Sequence, residues 1–392
     1  MKILFVTTRL PYPIDKGDKL RAFYQLKYLS KSNEVYLFAI DEEYKSEREI
    51  NVLKEFIKKI KVVRINKLRI LLNLLSKLFS KLPFQVAYYY NSTIHKKLLS
   101  FVKEVEPDVL YFQLVRSAEL ANNLHSIPKV IDFVDALSKG IERRMERSNF
   151  LMNMILSIEL IRLKKYEKKV LDSFDKYLII SSEDRNFLPV ENEKEIVVIP
   201  NGVDFNFYQP IDSEKLYDIF FSGNLNYPPN IDASIFLVKE ILPLVVKEMP
   251  NVKVLIGGAD PGKKVQSLQS KNVDVRGWVN DIRDYYKISK VFIAPMRMGT
   301  GLQNKILQAM AMKIPCVVSS LAAKGLSENG NDFILIADTP KEFKEKILKL
   351  LNDKQYYDTI AEKSYEYVKA NYDWTKISLQ LENLLQSSLN KD

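Results

Sequence analysis

The run Met298-Gly-Thr-Gly-Leu-Gln-Asn-Lys-Ile-Leu-Gln-Ala-Met-Ala-Met312 lies between two short apolar stretches, Val291-Phe-Ile-Ala-Pro295 and Pro315-Cys-Val-Val-Ser319. It reads as a glycine-hinged loop opening directly into a helix, with a strand on either side. A strand–loop–helix–strand order places the helix N-terminus at the carboxyl edge of a parallel sheet, where open α/β sheets bind ligands. Backbone amides at such a terminus favour an anion. Arg297 and Lys305 flank that point, and Gln308 follows Lys305 by one turn, within reach of a ligand's hydroxyls. These residues predict a site for a phosphorylated ligand.

The same alternation recurs along the chain. In the first half, Lys2–Thr7, Glu34–Ile40, Val109–Phe112, Lys129–Phe133 and Lys176–Ser181 read as strands, with a helix over Lys19–Lys31. In the second, Asp218–Phe221, Val252–Ile256, Val273–Val275, Val291–Ala294, Cys316–Ser319 and Phe333–Ile336 are short apolar runs. Helical stretches at Ile231–Glu248, Ile282–Lys287, Gln303–Met312 and Lys341–Leu351 separate them. Strands apolar throughout and alternating with helices predict parallel sheets covered on both faces. Two such sheets make two doubly wound α/β domains, as a length of 392 residues allows. The boundary is expected within Leu188–Lys215, which carries Pro189, Pro200, Gly202 and Pro210. A cleft between domains is then the default ligand site. The tail over Asn371–Leu389 reads as a helix that packs back across the junction.

Charge narrows the partners. The net charge of +10 suits anions: nucleotides, nucleic acid or an acidic membrane face. No arginine-rich tract, zinc-ligand pattern or aromatic RNA-binding motif supports nucleic acid. Cys316 is the only cysteine, which excludes an intramolecular disulfide, and it reads as a small core residue. His95 and His125 are the only histidines, so no histidine metal cluster is expected and a Ser-His-Asp triad is disfavoured. The opening apolar run is too short for a signal peptide, and no segment reaches the roughly 20 apolar residues of a spanning helix. A cytoplasmic protein is expected, with peripheral contact at the inner membrane face left open.

Two further loops invite both a plain and a functional reading. Ile199-Pro-Asn-Gly-Val-Asp204 is a tight turn or a lining of the cleft. In Phe221-Ser-Gly-Asn-Leu-Asn-Tyr-Pro-Pro-Asn230, Gly223 lets backbone approach a ligand and Asn230 reads as a helix cap.

The ordered set Ser222-Gly-Asn224, Val275-Arg-Gly-Trp-Val279, Gln303-Asn-Lys-Ile-Leu-Gln-Ala-Met-Ala311 and Pro315–Ser319 resembles retaining glycosyltransferases of family four. In the first half, Pro11-Tyr-Pro-Ile-Asp-Lys-Gly-Asp-Lys-Leu-Arg21, Asp132-Phe-Val-Asp135 and Ile158–Glu167 resemble the subgroup of sugar transferases found in exopolysaccharide clusters. The resemblance implies the GT-B fold, two doubly wound Rossmann-like domains facing across a cleft. It places an acceptor-side domain at 1–190, a nucleotide-sugar-binding domain at 191–370, and a helix at 371–392 returning to the first. It implies transfer of a sugar from a nucleotide-diphosphate donor to a glycan or lipid-linked acceptor in bacterial polysaccharide synthesis, with no cofactor. By the same likeness Arg297 and Lys305 hold the diphosphate, and Gly277, Trp278 and Val279 border the base. Gly223, Asn224, Gly301, Leu302 and Gln303 line the donor, and Gly17 sits in the first loop near donor phosphate or acceptor. Thr300 and Gln308 occupy the ends of the family's glutamate–seven residues–glutamate motif.

The chain departs from that pattern. Gln308 stands where a glutamate accepts from the ribose hydroxyls, and a neutral acceptor makes a weaker bond. Thr300 stands where a glutamate meets the sugar. The usual N-terminal histidine has no equivalent; Asp132 and Asp135 lie in that neighbourhood, and either could orient acceptor or sugar. Asp135 reads equally as a helix cap. Arg297, Lys305 and helix amides would stabilise charge on the leaving diphosphate by position and electrostatics, with no metal required. The departures also motivate a rival, a catalytically silent sugar-nucleotide-binding or assembly protein. A nicotinamide-dependent oxidoreductase is disfavoured, since no Gly-x-Gly-x-x-Gly follows the first strand.

One segment lies outside this scheme. Over Arg69–Leu82, Arg69, Asn73, Ser76, Lys77, Ser80 and Lys81 form a polar stripe on an otherwise apolar helix. Such a helix lies in an anionic membrane interface or packs against its own domain. Tyr88-Tyr-Tyr90 and Lys96-Lys97 tilt the reading towards membrane or lipid-linked acceptor, and Ile141–Lys169 is a second basic, helix-prone stretch.

Overall fold

A computed structural model describes residues 1–42, 47–77, 80–146, 148–188, 196–299, 302–326 and 333–390. The chain divides into two compact units, residues 1–200 with 374–392, and residues 201–373.

The first unit is built on seven parallel strands: β1 (Lys2–Thr7), β2 (Glu34–Asp41), β3 (Lys59–Arg64), β4 (Val109–Gln113), β5 (Lys129–Asp132), β6 (Lys176–Ile179) and β7 (Ile196–Val198), ordered β3-β2-β1-β4-β5-β6-β7. Strand β1 shows why a parallel sheet forms. Successive side chains point to opposite faces, and both faces of β1 are covered. Leu4 and Val6 join one core cluster, Ile3 and Phe5 the other. The helix Trp374–Ser387 belongs to this unit: Trp374 is fully buried and stacks on Tyr24 at 5.4 Å between ring centroids. Ile377, Leu381 and Leu385 complete that face.

The second unit has six parallel strands: β8 (Tyr217–Ser222), β9 (Val254–Gly257), β10 (Val273–Arg276), β11 (Ser289–Ala294), β12 (Cys316–Val318) and β13 (Leu335–Ile336), ordered β10-β9-β8-β11-β12-β13. Both sheets are doubly wound. Chain order reverses between β1 and β4 in the first and between β8 and β11 in the second, so each has a switch point where neighbouring crossovers diverge.

The alternation of strands and helices follows the sequence reading, with differences that have physical causes. Strand β3, Lys-Ile-Lys-Val-Val-Arg, was not anticipated: it is an edge strand whose lysines face solvent, so it never reads as a continuous apolar run. The expected helix over Ile231–Glu248 is interrupted by a π-helical turn, Leu237–Ile241, between Pro228–Phe236 and Leu242–Val246. Pro243 lacks the N–H that an α-helical ladder needs there.

Asp132 closes the first unit's sheet rather than facing an acceptor, which corrects one of the sequence alternatives. Its fully buried carboxylate accepts from Arg21 Nε at 2.5 Å, Tyr111 Oη at 2.5 Å, Gln25 Nε2 at 3.2 Å and Val134 N at 3.0 Å. Arg21 also donates to the carbonyl of Pro200 at 3.2 Å.

Candidate functional site

In the second unit the loops after β8, β9 and β11 meet at the switch point. Strand β8 ends at Ser222, paired with Gly257 at the end of β9. The two following glycines touch through their backbones. Gly258 has φ +149°, and a Cβ there would lie 1.9 Å from the Gly223 carbonyl oxygen. A Cβ on Gly223 would lie 2.6 Å from Asn230 Nδ2. Only glycine fits at Gly258, and a Cβ at Gly223 would displace the Asn230 amide. From the other side, Gly299 at φ +92° brings the loop after β11 against Pro229.

Asn230 is the hinge of the site. It lies in the first turn of Pro228–Phe236, behind two prolines that pre-set the helix, so it is not the cap expected from sequence. Its Nδ2 donates to the Asn224 carbonyl at 2.9 Å, and its Oδ1 accepts from Lys305 Nζ at 2.8 Å. Lys305 stands in the first turn of Asn304–Ala311, where helix amides add partial positive charge. Its ammonium lies 4.6 Å from the centroid of the Phe221 ring and 3.6 Å from Met296 Sδ. Among the described residues no carboxylate pairs with it. Burial without a counter-charge pulls its pKa down to about 7. An anion placed here would restore the charged form. One turn on, Gln308 Oε1 lies 3.3 Å from the Tyr286 hydroxyl, which also bonds the Lys305 carbonyl at 3.0 Å. Tyr286 therefore supports the turn that carries both side chains.

Arg297 takes a different place from the one expected. Its guanidinium binds Asp232 in two contacts, 3.1 and 2.8 Å, binds Glu240 at 3.1 Å, and lies over the Phe236 ring. It is an exposed ion pair on the helix that follows β8, with its charge already balanced. We therefore leave Arg297 out of the anion site.

The other sequence candidates fall as follows. Gly277, Trp278 and Val279 leave the carboxyl end of β10, two strands from β8. The Gly277 carbonyl accepts from Tyr285 Oη at 3.2 Å, Trp278 is 64% exposed, and Val279 packs on the core. Asn224 is exposed beside Gly223, Leu302 packs on the core, and Gln303 precedes the helix without capping it. Thr300 and Gly301 lie outside the described residues.

Gly17 and Asp135 belong to the first unit. Gly17 opens the helix Gly17–Leu29, and an added Cβ would meet nothing within 4 Å. The next residue, Asp18, already binds Arg9 at 2.7 Å. Asp135 is not a helix cap: Leu137–Met145 begins after Ala136, with no side-chain cap. It follows Val134, a β-branched residue at φ +65°, a costly conformation of the kind that clusters at functional sites. Asp135 is open to water, yet the surrounding protein raises its carboxyl to about 6, with repulsion from Asp184 adding to the effect. Behind it, fully buried Glu167 accepts from Ser138 N at 3.1 Å and is raised to about 7, mainly by burial.

Comparison with known proteins bears on this arrangement. Residues 217–353, which hold Asn230 and Lys305, match the family described as Glycosyl transferases group 1. Over 96% of its length the chain is 24% identical to an uncharacterized 44.6 kDa protein in the cps region of Klebsiella pneumoniae, covering 97% of that protein. It is 25% identical to the Staphylococcus aureus capsular polysaccharide biosynthesis glycosyltransferase CapM over 48% of this chain and 53% of that one. Among solved structures, sucrose-phosphate synthase from Thermosynechococcus elongatus superposes with TM-score 0.70 at 14% identity over 99% of both chains. Anabaena HepE in complex with UDP superposes with TM-score 0.66 at 16% identity, over 99% of this chain and 100% of that one. The fold is GT-B, residues 217–353 form a glycosyltransferase domain, and the chain is a glycosyltransferase.

Proposed function

We propose that the chain moves a sugar from a nucleotide-diphosphate donor to a glycan or lipid-linked acceptor, in the cytoplasm, during bacterial polysaccharide synthesis. The observation that carries this reading is Lys305: a cation held by the neutral Asn230, with no carboxylate partner among the described residues, at a helix N-terminus on the sheet's switch point. HepE was solved with UDP and CapM is named for capsular polysaccharide, and both agree with it.

The bond that breaks joins the sugar's anomeric carbon to a diphosphate oxygen; the bond that forms joins that carbon to an acceptor hydroxyl oxygen, whose proton passes to the departing diphosphate or to water. Lys305 and the amides of Asn304–Ala311 would hold the diphosphate and stabilise its growing charge. That balance supports a reaction without metal, and the family resemblance supports retention. Gly223, Asn224, Leu302 and Gln303, with Thr300 and Gly301, would line the donor. Gly277, Trp278 and Val279 would border the base, with the exposed Trp278 indole offering a ring face. Asp135 would accept a hydrogen bond from a sugar or acceptor hydroxyl, and Gly17 would face phosphate or acceptor.

Gln308 supplies a specific check. Gln308→Glu keeps an acceptor beside Tyr286 and adds a charge, so donor affinity is expected to rise by about three- to tenfold if this side chain meets ribose. Calorimetry showing unchanged or weaker binding would remove Gln308 from the donor site. The reading as a whole is tested by incubating purified protein with a panel of nucleotide sugars, with and without lipid-linked glycan acceptors, and following nucleoside diphosphate release. Release with at least one pair is expected. Tight binding without turnover across the panel would instead identify a silent binding or assembly protein, as the substitutions at Thr300 and Gln308 would allow.

A further inference from the structure

Two helices of the first unit carry their apolar stripes on the outside. On Lys67–Ser76 only Ile70 is buried, while Leu68, Leu71, Leu72 and Leu75 are all more than half exposed, spaced as one helix face. On Phe150–Leu171, Phe150 is 78% exposed and the stripe continues through Leu151, Met154, Ile155, Ile158 and Ile161. The helices share a neighbour. The first packs along Phe84–Tyr89. The second binds the start of that helix through Glu159, which accepts from Phe84 N at 2.7 Å and Gln85 N at 3.0 Å. Arg162 also lies over the Phe84 ring. This much outward apolar side chain on adjoining elements marks an interaction surface.

The charge around it selects the partner. Residues 67–82 hold four basic side chains and no acidic one. Lys67, Arg69 and Lys81 are exposed. On the second helix the apolar stripe runs at helical spacing into exposed Lys165 and Lys168, with Arg144 nearby, whereas Lys164 is paired with Glu142 at 2.6 Å and the acidic Glu159 and Glu167 of the same helix are buried. A second copy of this surface would set like charges against each other. An anionic bilayer meets both features: its acyl boundary takes the leucine and isoleucine stripes, and its headgroups take the basic rim. Among the described residues no helix is long and apolar enough to cross a membrane, so these stripes would lie in the plane of the surface.

We infer that the Lys67–Ser76 and Phe150–Leu171 helices form one docking surface for an anionic lipid bilayer. The inference does not rest on the donor site and stands or falls separately from it. It is tested by flotation of the full chain with vesicles of phosphatidylglycerol and phosphatidylcholine, against phosphatidylcholine alone. Binding is expected only to the anionic vesicles and should fall with salt. Leu71→Ser with Leu75→Ser, and Ile155→Ser with Ile158→Ser, should each weaken it on the order of tenfold or more. Arg144→Glu with Lys165→Glu should weaken it without touching an apolar residue. All six positions are exposed, so thermal unfolding should stay unchanged and show that the fold is kept. Failure of the wild-type chain to float, equal binding to neutral vesicles, or full binding by both apolar variants would overturn the inference. So would a stable dimer, by light scattering, that both apolar pairs dissolve.

Discussion

Replacing Lys305 by alanine is expected to weaken donor binding by roughly 30- to 150-fold, or about 2–3 kcal/mol, the range for a lost hydrogen bond to a charged group in a partly buried site. The fold should survive, because the ammonium makes no ion pair among the described residues and its hydrogen-bond partner is a neutral amide. Arg297→Ala should change donor affinity little, since Asp232 and Glu240 already balance that charge and exposed pairs contribute modestly. The contrast between the two variants, measured by calorimetry with a nucleotide sugar, separates a cation that waits for an anion from one already paired.

The pH dependence has a definite sign. Free Lys305 titrates at about 7, so it is charged below that value and neutral above it. A bound diphosphate favours the ammonium and raises its pKa. Affinity should therefore be highest below pH 7 and fall as pH rises through 7 towards the raised value, by at most tenfold per unit. Lys305→Ala should flatten the profile.

Asp132→Ala is expected to destabilise the first unit by about 3–5 kcal/mol, because it leaves Arg21 charged in a fully buried setting. Three further donors, from Gln25, Tyr111 and Val134, lose their acceptor in the same step. Urea unfolding followed by amide exchange in β1, β4 and β5 would report the loss, and Asp132→Asn should recover part of it by keeping an acceptor. A loss below about 1 kcal/mol would mean that the network does not hold the sheet. Asp135→Asn, three residues on and open to water, should leave unfolding nearly unchanged.

Central strands were legible because they are apolar on both faces, as β1 and β11 are. The edge strands of the first sheet were not: β3 alternates with lysine, and β7 is only three residues long, whereas the edges of the second sheet, β10 and β13, were read. That Lys305, Gln308 and Gly223 gather at one sheet edge could be read, because strand–loop–helix order dictates where helix N-termini and glycine loops gather. What they touch could not. Tyr286 reaches the Lys305 turn from a different helix, and Asn230 bonds a lysine 75 residues away. The missed Gly258 had a signal in sequence, a glycine pair closing an apolar run, whereas its contact with Gly223 depends on neighbouring strands in register. For Arg297 the charge could be read, but not its partners Asp232 and Glu240. The amphipathic pattern of residues 69–82 was plain, but pattern alone does not say which face points inward; over Lys67–Ser76 the leucines point out.

Proton uptake on donor binding tests the central claim most directly. Calorimetry with a nucleotide sugar at pH 8, in buffers of different ionisation enthalpy, should show uptake approaching one proton, because Lys305 passes from mostly neutral to charged. The Lys305→Met variant should show none. Equal uptake in both proteins, or none in the wild type despite saturable binding, would contradict a diphosphate seated against Lys305.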